Sequence, residues 1–416
     1  MTQKLNVIEL FAGVGGFRIG LEKANKNFFK TIYSNQWEPS TKKQYAFDCY
    51  NSHFPSSINT NIDIAQIPDD ELKKINANLL VGGFPCQDYS VARSLNNELG
   101  IKGKKGILFW EIKRVIELIN PKYILLENVD RLLKSPANQR GKDFSIMLAV
   151  FRDLGYNVEW RVINAADYGG PQRRRRIFIF AYEKNIDFAK EMNEVTGESI
   201  IYQNGFFQKE FPTEKFSYKN RELNFTLPKD IVEISDSFSS KYFNSGIMIN
   251  GKVTTIETIP IEETGIPLKN ILENNVEDKY YLSEQQIEKI KYLRGPKKIL
   301  RTSKEGHQYF YSEGGMSETD KLDIPSRTML TSEGTLNRSS HIIKENNKYR
   351  FLTPIETERL NQFPDDWTKN MPDRKRYFCM GNALVTSIVE RIGKRIEEIE
   401  NNENTKYNQM SLDLDI

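Results

Sequence analysis

The chain has 416 residues, of which 38% are hydrophobic and 28% charged, and its formal net charge is +3. This length predicts two domains, and the near balance of charge means that any nucleic-acid binding must come from local basic patches. No run approaches the roughly eighteen apolar residues of a membrane span and no signal-peptide pattern opens the chain, so we expect a cytoplasmic protein. Three widely spaced cysteines and three scattered histidines argue against a disulfide framework and a metal site.

The N-terminal residues predict the strand, turn and helix that open a doubly wound sheet. Residues 5–11 form a short apolar strand, glycines follow in residues 12–16, and a helix is predicted at 17–24. Glycines there let a cofactor approach the backbone and the helix N-terminus. The turn lacks the GxGxxG spacing of nicotinamide sites and the Lys-Ser/Thr of a phosphate-binding loop, which favours a ligand other than a pyrophosphate.

Two further strands are predicted at residues 30–34 and 62–64. The first of them ends at Asn35-Gln36-Trp37-Glu38, where a polar side chain of a doubly wound sheet can bind a ribose. Asp63 lies where it could meet an adenine amine. A solvated loop is the alternative interpretation at both positions.

The chain is organised around residues 79–90, LLVGGFPCQDYS. Residues 79–81 predict a buried strand and Gly82-Gly83 a turn, so Cys86 lies at the carboxyl edge of a sheet. Pro85 fixes the backbone just before the sulfur, and the polar residues 87–106 predict no strong element. This pattern is typical of a nucleophile on a mobile flap, although an arbitrary cysteine is more often a structural thiol.

A second reactive group is predicted at the same edge. Apolar residues at helical spacing predict a helix over residues 108–120, which Pro121 ends. The buried strand that follows, residues 123–126, delivers Glu127-Asn128-Val129 to the carboxyl edge that carries Cys86. Both groups then face one crevice.

A run of four arginines lies between two predicted strands. A helix is predicted at residues 143–154 and strands at 158–163 and 177–182, with Gln172-Arg173-Arg174-Arg175-Arg176 before the second strand. A charge run is usually a solvated face. Because this run opens a buried strand, part of it must point inward and find anionic or carbonyl partners.

The rest of the chain changes character twice. Residues 184–340 are polar and irregular, with one clear helix at 283–293, and predict a separate loop-rich module. Regular structure returns at residues 352–362, where Thr353-Pro354-Ile355-Glu356 is a capping box. The last helix is predicted at residues 382–400 and is followed by a polar tail, residues 401–416.

Six segments together resemble, in order and spacing, the motifs of the DNA (cytosine-5) methyltransferases of bacterial restriction-modification systems. They are residues 11–16 (FAGVGG), 82–90 (GGFPCQDYS), 127–129 (ENV), 172–176 (QRRRR), 350–364 (RFLTPIETERLNQFP) and 381–385 (GNALV). The match leaves only the variable module and the tail uncovered. One departure is Gln36, where the family often has an acidic residue for the ribose, with Glu38 two positions later. Which of the two binds ribose is open.

The resemblance implies an α/β fold: a doubly wound mixed sheet, Rossmann-like, of the S-adenosylmethionine-dependent methyltransferase type, with a second, smaller, loop-rich target-recognition domain. It also implies a discontinuous catalytic domain, residues 1–185 plus 372–416. Residues 186–371 would hold the target-recognition domain and hinge.

The resemblance also implies the chemistry. Cys86 would add to carbon 6 of a cytosine flipped out of the duplex, so that carbon 5 can attack an electrophilic methyl group. Glu127 would hold ring nitrogen 3 and the amino group, and Arg176 would reach the carbonyl oxygen. Arg174 would support the catalytic loop and lower the pKa of the thiol.

The implied methyl donor is S-adenosyl-L-methionine, no metal is implied, and the implied partner is double-stranded DNA. The residues expected to bind the cofactor are Phe11, Ala12, Gly13, Gly15, Gly16, Gln36, Trp37, Glu38, Asp63, Ile64, Pro85, Leu108, Asn382 and Ala383. Those expected to contact DNA are Gln87, Ser90, Arg93, Gln172 and Arg338. The family usually acts as a monomer, and a cognate restriction endonuclease would be a functional rather than a physical partner.

Two other functions compete with this one. A tRNA cytosine-5 methyltransferase shares the fold and the cysteine, but the long variable module favours DNA, because sequence-specific readout of a duplex needs such a module. A binding protein that lost catalysis is disfavoured by the intact Cys86 and Glu127. Residues 409–414, QMSLDL, separately resemble the short peptides with which bacterial proteins bind the replication sliding clamp, although a disordered end with a chance match is the more frequent case.

Overall fold

The computed structural model describes residues 4–39, 41–84, 107–216, 221–303 and 306–414. The chain folds into two compact units. The first comprises Met1–Tyr168, Arg175–Glu263 and Thr386–Ile416, and the second Gly169–Arg174 and Thr264–Val385. The units follow other boundaries than the predicted catalytic and target-recognition domains. That functional division, at residues 185 and 372, stays a prediction.

The bounds of the strands and of the longer helices are as follows. The strands are β1 (Leu5–Leu10), β2 (Phe29–Asn35), β3 (Ile58–Thr60), β4 (Leu79–Gly83), β5 (Tyr123–Val129), β6 (Tyr156–Asn164), β7 (Gln172–Arg173), β8 (Arg175–Glu183), β9 (Thr213–Lys215), β10 (Glu222–Thr226), β11 (Ser245–Ile249), β12 (Lys252–Ile256), β13 (Thr258–Pro260), β14 (Lys297–Thr302), β15 (Gln308–Glu313), β16 (Ser326–Arg327), β17 (Ile342–Glu345) and β18 (Lys348–Phe351). The helices of six or more residues are α1 (Gly16–Asn25), α2 (Tyr45–His53), α3 (Ile107–Ile119), α4 (Lys142–Asp153), α5 (Asp187–Asn193), α6 (Ile231–Asp236), α7 (Glu284–Arg294), α8 (Pro354–Leu360), α9 (Asp373–Asn382) and α10 (Thr386–Leu414).

The first unit is built on one mixed sheet, which has ten strands within the described residues, in the order β10-β12-β11-β6-β8-β5-β4-β1-β2-β3. The strands from β3 to β5 run parallel, β8 is antiparallel to β5 and β6, and β10 to β12 continue antiparallel. The central strands β1, β4 and β5 are apolar and almost wholly buried, as expected of parallel strands covered on both faces. The predicted α/β fold is confirmed.

The final helix packs closely against the first one. A Cβ added at Gly20 of α1 would lie 2.5 Å from the Val389 Cβ of α10. The last helix carries a buried apolar stripe, in which Ile388, Val389, Ile392, Ile396 and Ile399 are at most 3% exposed. The C-terminal helix thus completes the layer that covers β1. Within the described residues, no helix has the length and apolar character needed to cross a membrane.

The predicted third strand is wrong in position. The strand is β3, Ile58–Thr60, and Ile64–Gln66 is instead a short 3-10 turn. Asp63 caps this turn, because its Oδ1 accepts the Ala65 N–H at 3.1 Å. A side-chain cap one residue before an apolar pair is a turn signal that competes with the strand pattern.

The variable region and the tail also differ from prediction. Part of the predicted loop-rich module, β10 to β12, extends the sheet of the first unit. The hairpin β11–β12 turns at Asn250-Gly251, both with positive φ, which is a recognised two-residue hairpin signal. The predicted polar tail from residue 401 is helical, since α10 runs to Leu414 and takes in the clamp-like segment.

The second unit contains small two-stranded sheets and short helices. Strand β7 pairs with β16, β14 with β15, and β17 with β18. The predicted capping box is confirmed at α8, where Thr353 and Glu356 exchange side-chain-to-backbone hydrogen bonds. Arg350 contacts the Glu356 carboxylate with both terminal nitrogens at 2.8 Å, and both side chains are fully buried. The pair anchors this helix start to β18.

Candidate active site

The two charged residues predicted to act on the base meet at the edge of the first unit's sheet. Glu127 lies near the end of β5, and Arg176 near the start of β8, opposite Val129 in the antiparallel ladder. The Arg176 Nε lies 2.8 Å from the Glu127 Oε1, and the two side chains are only 18% and 12% exposed. A carboxylate and a guanidinium in contact can present acceptors and donors together to a polar ring.

The strand that leads to Cys86 is held beside this pair. Gly83, the last residue of β4, lies opposite Glu127 in the parallel ladder, and a Cβ added there would lie 3.2 Å from the Glu127 Oε2. Asn128, which is buried, donates its Nδ2 hydrogen to the Phe84 carbonyl at 2.9 Å. Two consecutive residues of β5 therefore lie against the end of this strand.

Cys86 itself lies outside the described residues. The same holds for one residue predicted to bind the cofactor and three predicted to contact DNA, namely Pro85, Gln87, Ser90 and Arg93.

The predicted glycine turn joins β1 to α1. Phe11, Gly13 and Gly15 have φ of 54°, 55° and 94°, which for Phe11 is an unusual conformation of the kind concentrated at functional sites. Among the described residues, nothing lies within 4 Å of a Cβ added at Gly13. Helix α1 begins at Gly16 without a side-chain cap from these residues, so its first N–H groups can meet an anionic group.

The residues after β2 lie next to this turn. The Ala12 N–H donates to the Asn35 carbonyl at 3.1 Å, and the Gln36 Oε1 accepts the Gly13 N–H at 2.7 Å. Gln36 is buried, whereas Trp37 is 37% exposed. Glu38 is half-buried, and its Oε2 lies 3.5 Å from the Thr41 hydroxyl. The structure thus brings together the turn and the predicted ribose-binding residues.

The predicted adenine-binding residues are held from helix α3. Arg114 donates to the Ile64 carbonyl at 2.7 Å and to the Ile67 carbonyl at 3.2 Å. Leu108, at the start of the same helix, is half-buried. Asp63-Ile64 and Leu108 therefore belong to one rigid corner of the first unit.

Two residues of the arginine run are buried within the second unit. Gln172 is fully buried: its amide donates to the Leu360 carbonyl at 3.0 Å and the Asn361 Oδ1 at 2.7 Å and accepts the Met329 N–H at 3.1 Å. These hydrogen bonds occupy the Gln172 amide within the protein, and its contact with DNA stays a prediction. Arg174, 2% exposed, donates to the carbonyls of Met329 at 3.3 Å and Gly381 at 2.9 Å.

Arg174 therefore fixes the segment that carries the last two predicted cofactor residues. Asn382, exposed, ends α9, and the half-buried Ala383 donates its N–H to the Cys379 carbonyl at 2.9 Å. The neighbouring Met380 carbonyl accepts from Asn361 at 2.8 Å. The short signal QRRRR indicated inward-pointing arginines, but their carbonyl partners could only be found in the fold.

Residues 5–398 match the model of the family of C-5 cytosine-specific DNA methylases. The chain belongs to the C-5 cytosine-specific DNA methylases. Type II methyltransferase M.Sau3AI of Staphylococcus aureus is 58% identical over 409 residues, which cover 98% of this chain and 99% of the relative. Type II methyltransferase M.NlaIV of Neisseria lactamica is 25% identical over 443 residues, with 95% and 99% covered.

The fold is also similar to that of a solved structure. A crystal structure of a DNMT2 mutant from Spodoptera frugiperda has a TM-score of 0.60 and covers 94% of this chain and 99% of its own, at 14% identity. This DNA methylase is thus an S-adenosylmethionine-dependent DNA cytosine-5 methyltransferase, related to the Type II enzymes of restriction-modification systems.

The site of the methylase fits its cofactor. The open space at Gly13 leaves room against the backbone, the N-terminus of α1 suits a carboxylate, and the exposed Trp37 offers an aromatic face. These features are independent of one another. Together they match the methionine and nucleoside halves of S-adenosylmethionine.

The residue predicted to contact DNA near the end of the variable module is engaged in the protein. Arg338 donates to the Leu293 carbonyl at 3.0 Å and to the Gly314 carbonyl, and its Nη1 lies 3.1 Å from the Glu313 Oε2. Its side chain is 21% exposed. These contacts give Arg338 a structural role, and a contact with DNA stays a prediction.

One buried acidic residue of the methylase was not singled out in the sequence. Glu9 is the penultimate residue of β1, is fully buried, and accepts a hydrogen bond from the Tyr50 hydroxyl at 2.8 Å. Burial raises its pKa to about 7, although the Tyr50 hydrogen bond and the charge of Arg18 act in the opposite direction. The sequence signal was an acidic residue inside the apolar run LNVIELF. A surface strand would not require such a run, so the run indicates that its acidic residue is buried.

Proposed function

We propose that this methylase transfers the methyl group to carbon 5 of a flipped cytosine in duplex DNA through a covalent bond between Cys86 and carbon 6. The observation that carries the proposal is the contact between Glu127 and Arg176, next to the strand end that leads to Cys86. Carbon 5 of cytosine is a poor nucleophile, and addition of a thiolate to carbon 6 makes the ring an enamine that can attack a methyl group.

Glu127 and Arg176 each have a defined task in this reaction. The Glu127 carboxyl group holds ring nitrogen 3 and accepts from the exocyclic amino group as negative charge develops on the ring. Arg176 donates to the ring carbonyl oxygen, which also gains charge. When Cys86 has added and carbon 5 carries the methyl group, a base removes the carbon 5 proton and the thiolate leaves. S-adenosylmethionine supplies the electrophilic methyl group when bound.

We also propose distinct tasks for the residues around the cofactor. Gln36 sets the glycine turn, since its amide oxygen accepts the Gly13 N–H. Glu38 accepts from the ribose hydroxyls, because the one side-chain contact of its carboxylate with the described residues, to the Thr41 hydroxyl, is long and can be replaced. Measuring cofactor affinity tests this: we expect Glu38→Ala to weaken cofactor binding, and an unchanged affinity in the Glu38 variant would remove Glu38 from the ribose contact.

Trapping of the enzyme tests the covalent step. The protein is incubated with S-adenosylmethionine and duplex DNA in which cytosine is replaced by 5-fluorocytosine, whose fluorine cannot leave as a proton. We expect a denaturation-resistant complex on a gel with the wild type and none with Cys86→Ser, because an alcohol is far less ionised than a thiol at neutral pH. A complex formed by the serine variant would exclude Cys86 as the nucleophile.

A methyl-transfer assay with labelled S-adenosylmethionine separates the remaining alternative, a tRNA methyltransferase. Labelled methyl groups should enter duplex DNA and not tRNA. The preference for DNA is supported by the long variable region and by the 58% identity to a Type II methyltransferase. Because that identity spans 98% of the chain, we propose that both proteins methylate the same target and that this enzyme acts in the cytoplasm beside a cognate nuclease. Bisulfite sequencing of DNA from cells that express each protein would expose a different target.

A further inference from the structure

The second unit contains a two-stranded antiparallel ribbon, β14 with β15, hereafter the ribbon. Lys297 is opposite Glu313 at its base, and Thr302 is opposite Gln308 near its tip. The chain reverses beyond the tip, where the Ser303 N–H donates to the His307 carbonyl at 2.8 Å and the Gly306 N–H to the Ser303 carbonyl at 3.0 Å. At about 3.3 Å per residue, six residues make the ribbon about 20 Å long.

Neither face of the ribbon is packed on the described part of the protein. None of its residues is buried, and its apolar side chains are widely exposed: Ile299 39%, Leu300 52%, Tyr309 49% and Phe310 60%. An isolated two-stranded hairpin is marginally stable in water at best. Exposed apolar and aromatic groups on both faces therefore indicate a surface that a partner covers.

The base of the ribbon is nevertheless anchored. Arg338 contacts the Glu313 carboxylate at the end of β15, the Gly314 carbonyl just beyond it, and the Leu293 carbonyl before β14. The Met316 N–H donates to the Arg294 carbonyl at 2.7 Å, which ties the two flanking chains together. A fixed base with uncovered strands suits an element that projects into a partner.

Charge favours a polyanion as that partner. The strands of the ribbon carry Lys297, Lys298 and Arg301, against the single carboxylate Glu313, which Lys297 and Arg338 approach at 3.6 Å and 3.1 Å. The strands therefore carry a net positive charge, which comes from Lys298 near the base and Arg301 near the tip. Lys298 lies over the Phe310 ring at 4.8 Å and Arg301 over the Tyr311 ring at 3.9 Å, so both cations are held along the ribbon beside aromatic faces.

The shape of the ribbon fits a DNA groove. Two paired strands with their side chains have a width comparable to the major groove, about 12 Å, and the length of the ribbon exceeds the groove depth of about 8.5 Å. The register places Arg301 and Tyr309 on one face near the tip and Thr302 and Gln308 on the other. Arg and Gln are side chains that read guanine and adenine edges there.

We propose that the ribbon enters the major groove of the target duplex and that Arg301 and Gln308 read base edges there. The inference rests on the proposed function, since it takes duplex DNA as the substrate. It places sequence reading on the ribbon rather than on Arg338, which holds the ribbon base. The charged neighbours of Arg338 are also engaged in the protein, since Arg327 pairs with Asp320 at 2.5 Å and His341 is buried against Glu333. Lys298, nearer the base, contacts the phosphates that flank the groove.

Selection from random DNA tests this without requiring catalysis. The full chain is mixed with a pool of random 24-base-pair duplexes, bound duplexes are sequenced, and affinity for the enriched duplex is measured over a salt series. For the double variant Arg301→Ala with Gln308→Ala we expect at least tenfold weaker binding and loss of base preference at one or more positions of the motif. Lys298→Ala should lower the salt slope by about one and keep the motif.

Lys269→Ala is the matched control, because it removes an exposed cation of the same unit away from the ribbon; its motif and affinity should equal those of the wild type. All variants should keep the wild-type melting temperature and cofactor affinity. An unchanged motif with unchanged affinity in the double variant overturns the proposal. A double variant whose only difference from the wild type is its molar mass in light scattering also overturns it, because the ribbon would then be a contact between copies of the chain. Failure of the covalent trapping alone would refute the Cys86 chemistry and leave this result standing.

Discussion

The buried Glu9 makes the stability of the first unit depend on pH in a direction that can be worked out. Its pKa is about 7 in the folded protein against an ordinary value of 4.5, because burial penalises the ionised form. The folded state therefore retains the proton more strongly than the unfolded chain. The favourable contribution of Glu9 to the free energy of unfolding is complete below pH 4.5 and is lost as the pH rises through 7.

The magnitude follows from the difference between the two pKa values. A difference of about 2.5 units corresponds to about 3 kcal/mol, of which about 2 to 3 kcal/mol is lost between pH 5 and pH 8. Glu9→Gln removes this titration and keeps the shape of the side chain. We compare the free energy of unfolding of the variant with that of the wild type at each pH. From pH 5 to pH 8 this difference should rise by about 2 to 3 kcal/mol in favour of the variant, or about 3 to 4 °C in melting temperature.

Differential scanning fluorimetry of both proteins at pH 5, 6, 7 and 8 measures this gain. Glu214→Gln is the matched control, because that side chain is exposed and the same substitution should give a difference that does not change with pH. A constant difference between Glu9→Gln and the wild type, or one that falls as the pH rises, would refute the assignment of the buried proton to Glu9.

Three further predictions concern the site and its support. Asn128→Ala leaves the Phe84 carbonyl without its donor, so we expect a loss of about 1–3 kcal/mol and a lower kcat at unchanged cofactor affinity, measured by melting and steady-state kinetics. Gly13→Ala should weaken cofactor binding in a calorimetric titration. Gly306→Ala is the control and should not, because Gly306 also has a positive φ and nothing lies within 4 Å of a Cβ added there. Equal effects of the two substitutions would contradict a cofactor at Gly13. Gly20→Ala should destabilise by about 1–3 kcal/mol, because its methyl group would overlap Val389, and unchanged melting would contradict that packing.

The first half of the sheet and the catalytic edge could be predicted because their signals are local. An apolar strand followed by glycines placed the turn at Gly13, and two buried strands with polar ends placed Glu127 beside the chain that carries Cys86. Parallel strands of a doubly wound sheet end at one edge, so two such endings imply proximity without further information. The contact of Arg176 with Glu127 agrees with this reasoning.

Two of the elements that differ from prediction, the hairpin β11–β12 and the C-terminal tail, depend on distant partners. The hairpin β11–β12 carried a turn signal at Asn250-Gly251, but its pairing with β6 depends on an edge that only the folded sheet provides. The tail beyond residue 400 is polar and rich in asparagine, so its composition predicted no helix. It continues α10 without a glycine or proline to end it, and packing of the apolar stripe upstream supplies the costly nucleus of that helix.

Neighbouring residues specify the α/β class, the two strand ends that form the catalytic edge, and the identity of the groups placed there, because periodicity and turn chemistry are local properties. Which polar groups the protein itself engages, and which remain for a ligand, follows only from the folded chain. Gln172 and Arg338 have the same chemistry as DNA-reading side chains, yet they bond to carbonyls or amides at positions 329, 360 and 314. Arg301 and its ribbon neighbours stay exposed. A hydrogen bond requires a partner within about 3 Å, and which partner arrives there is set by the fold as a whole.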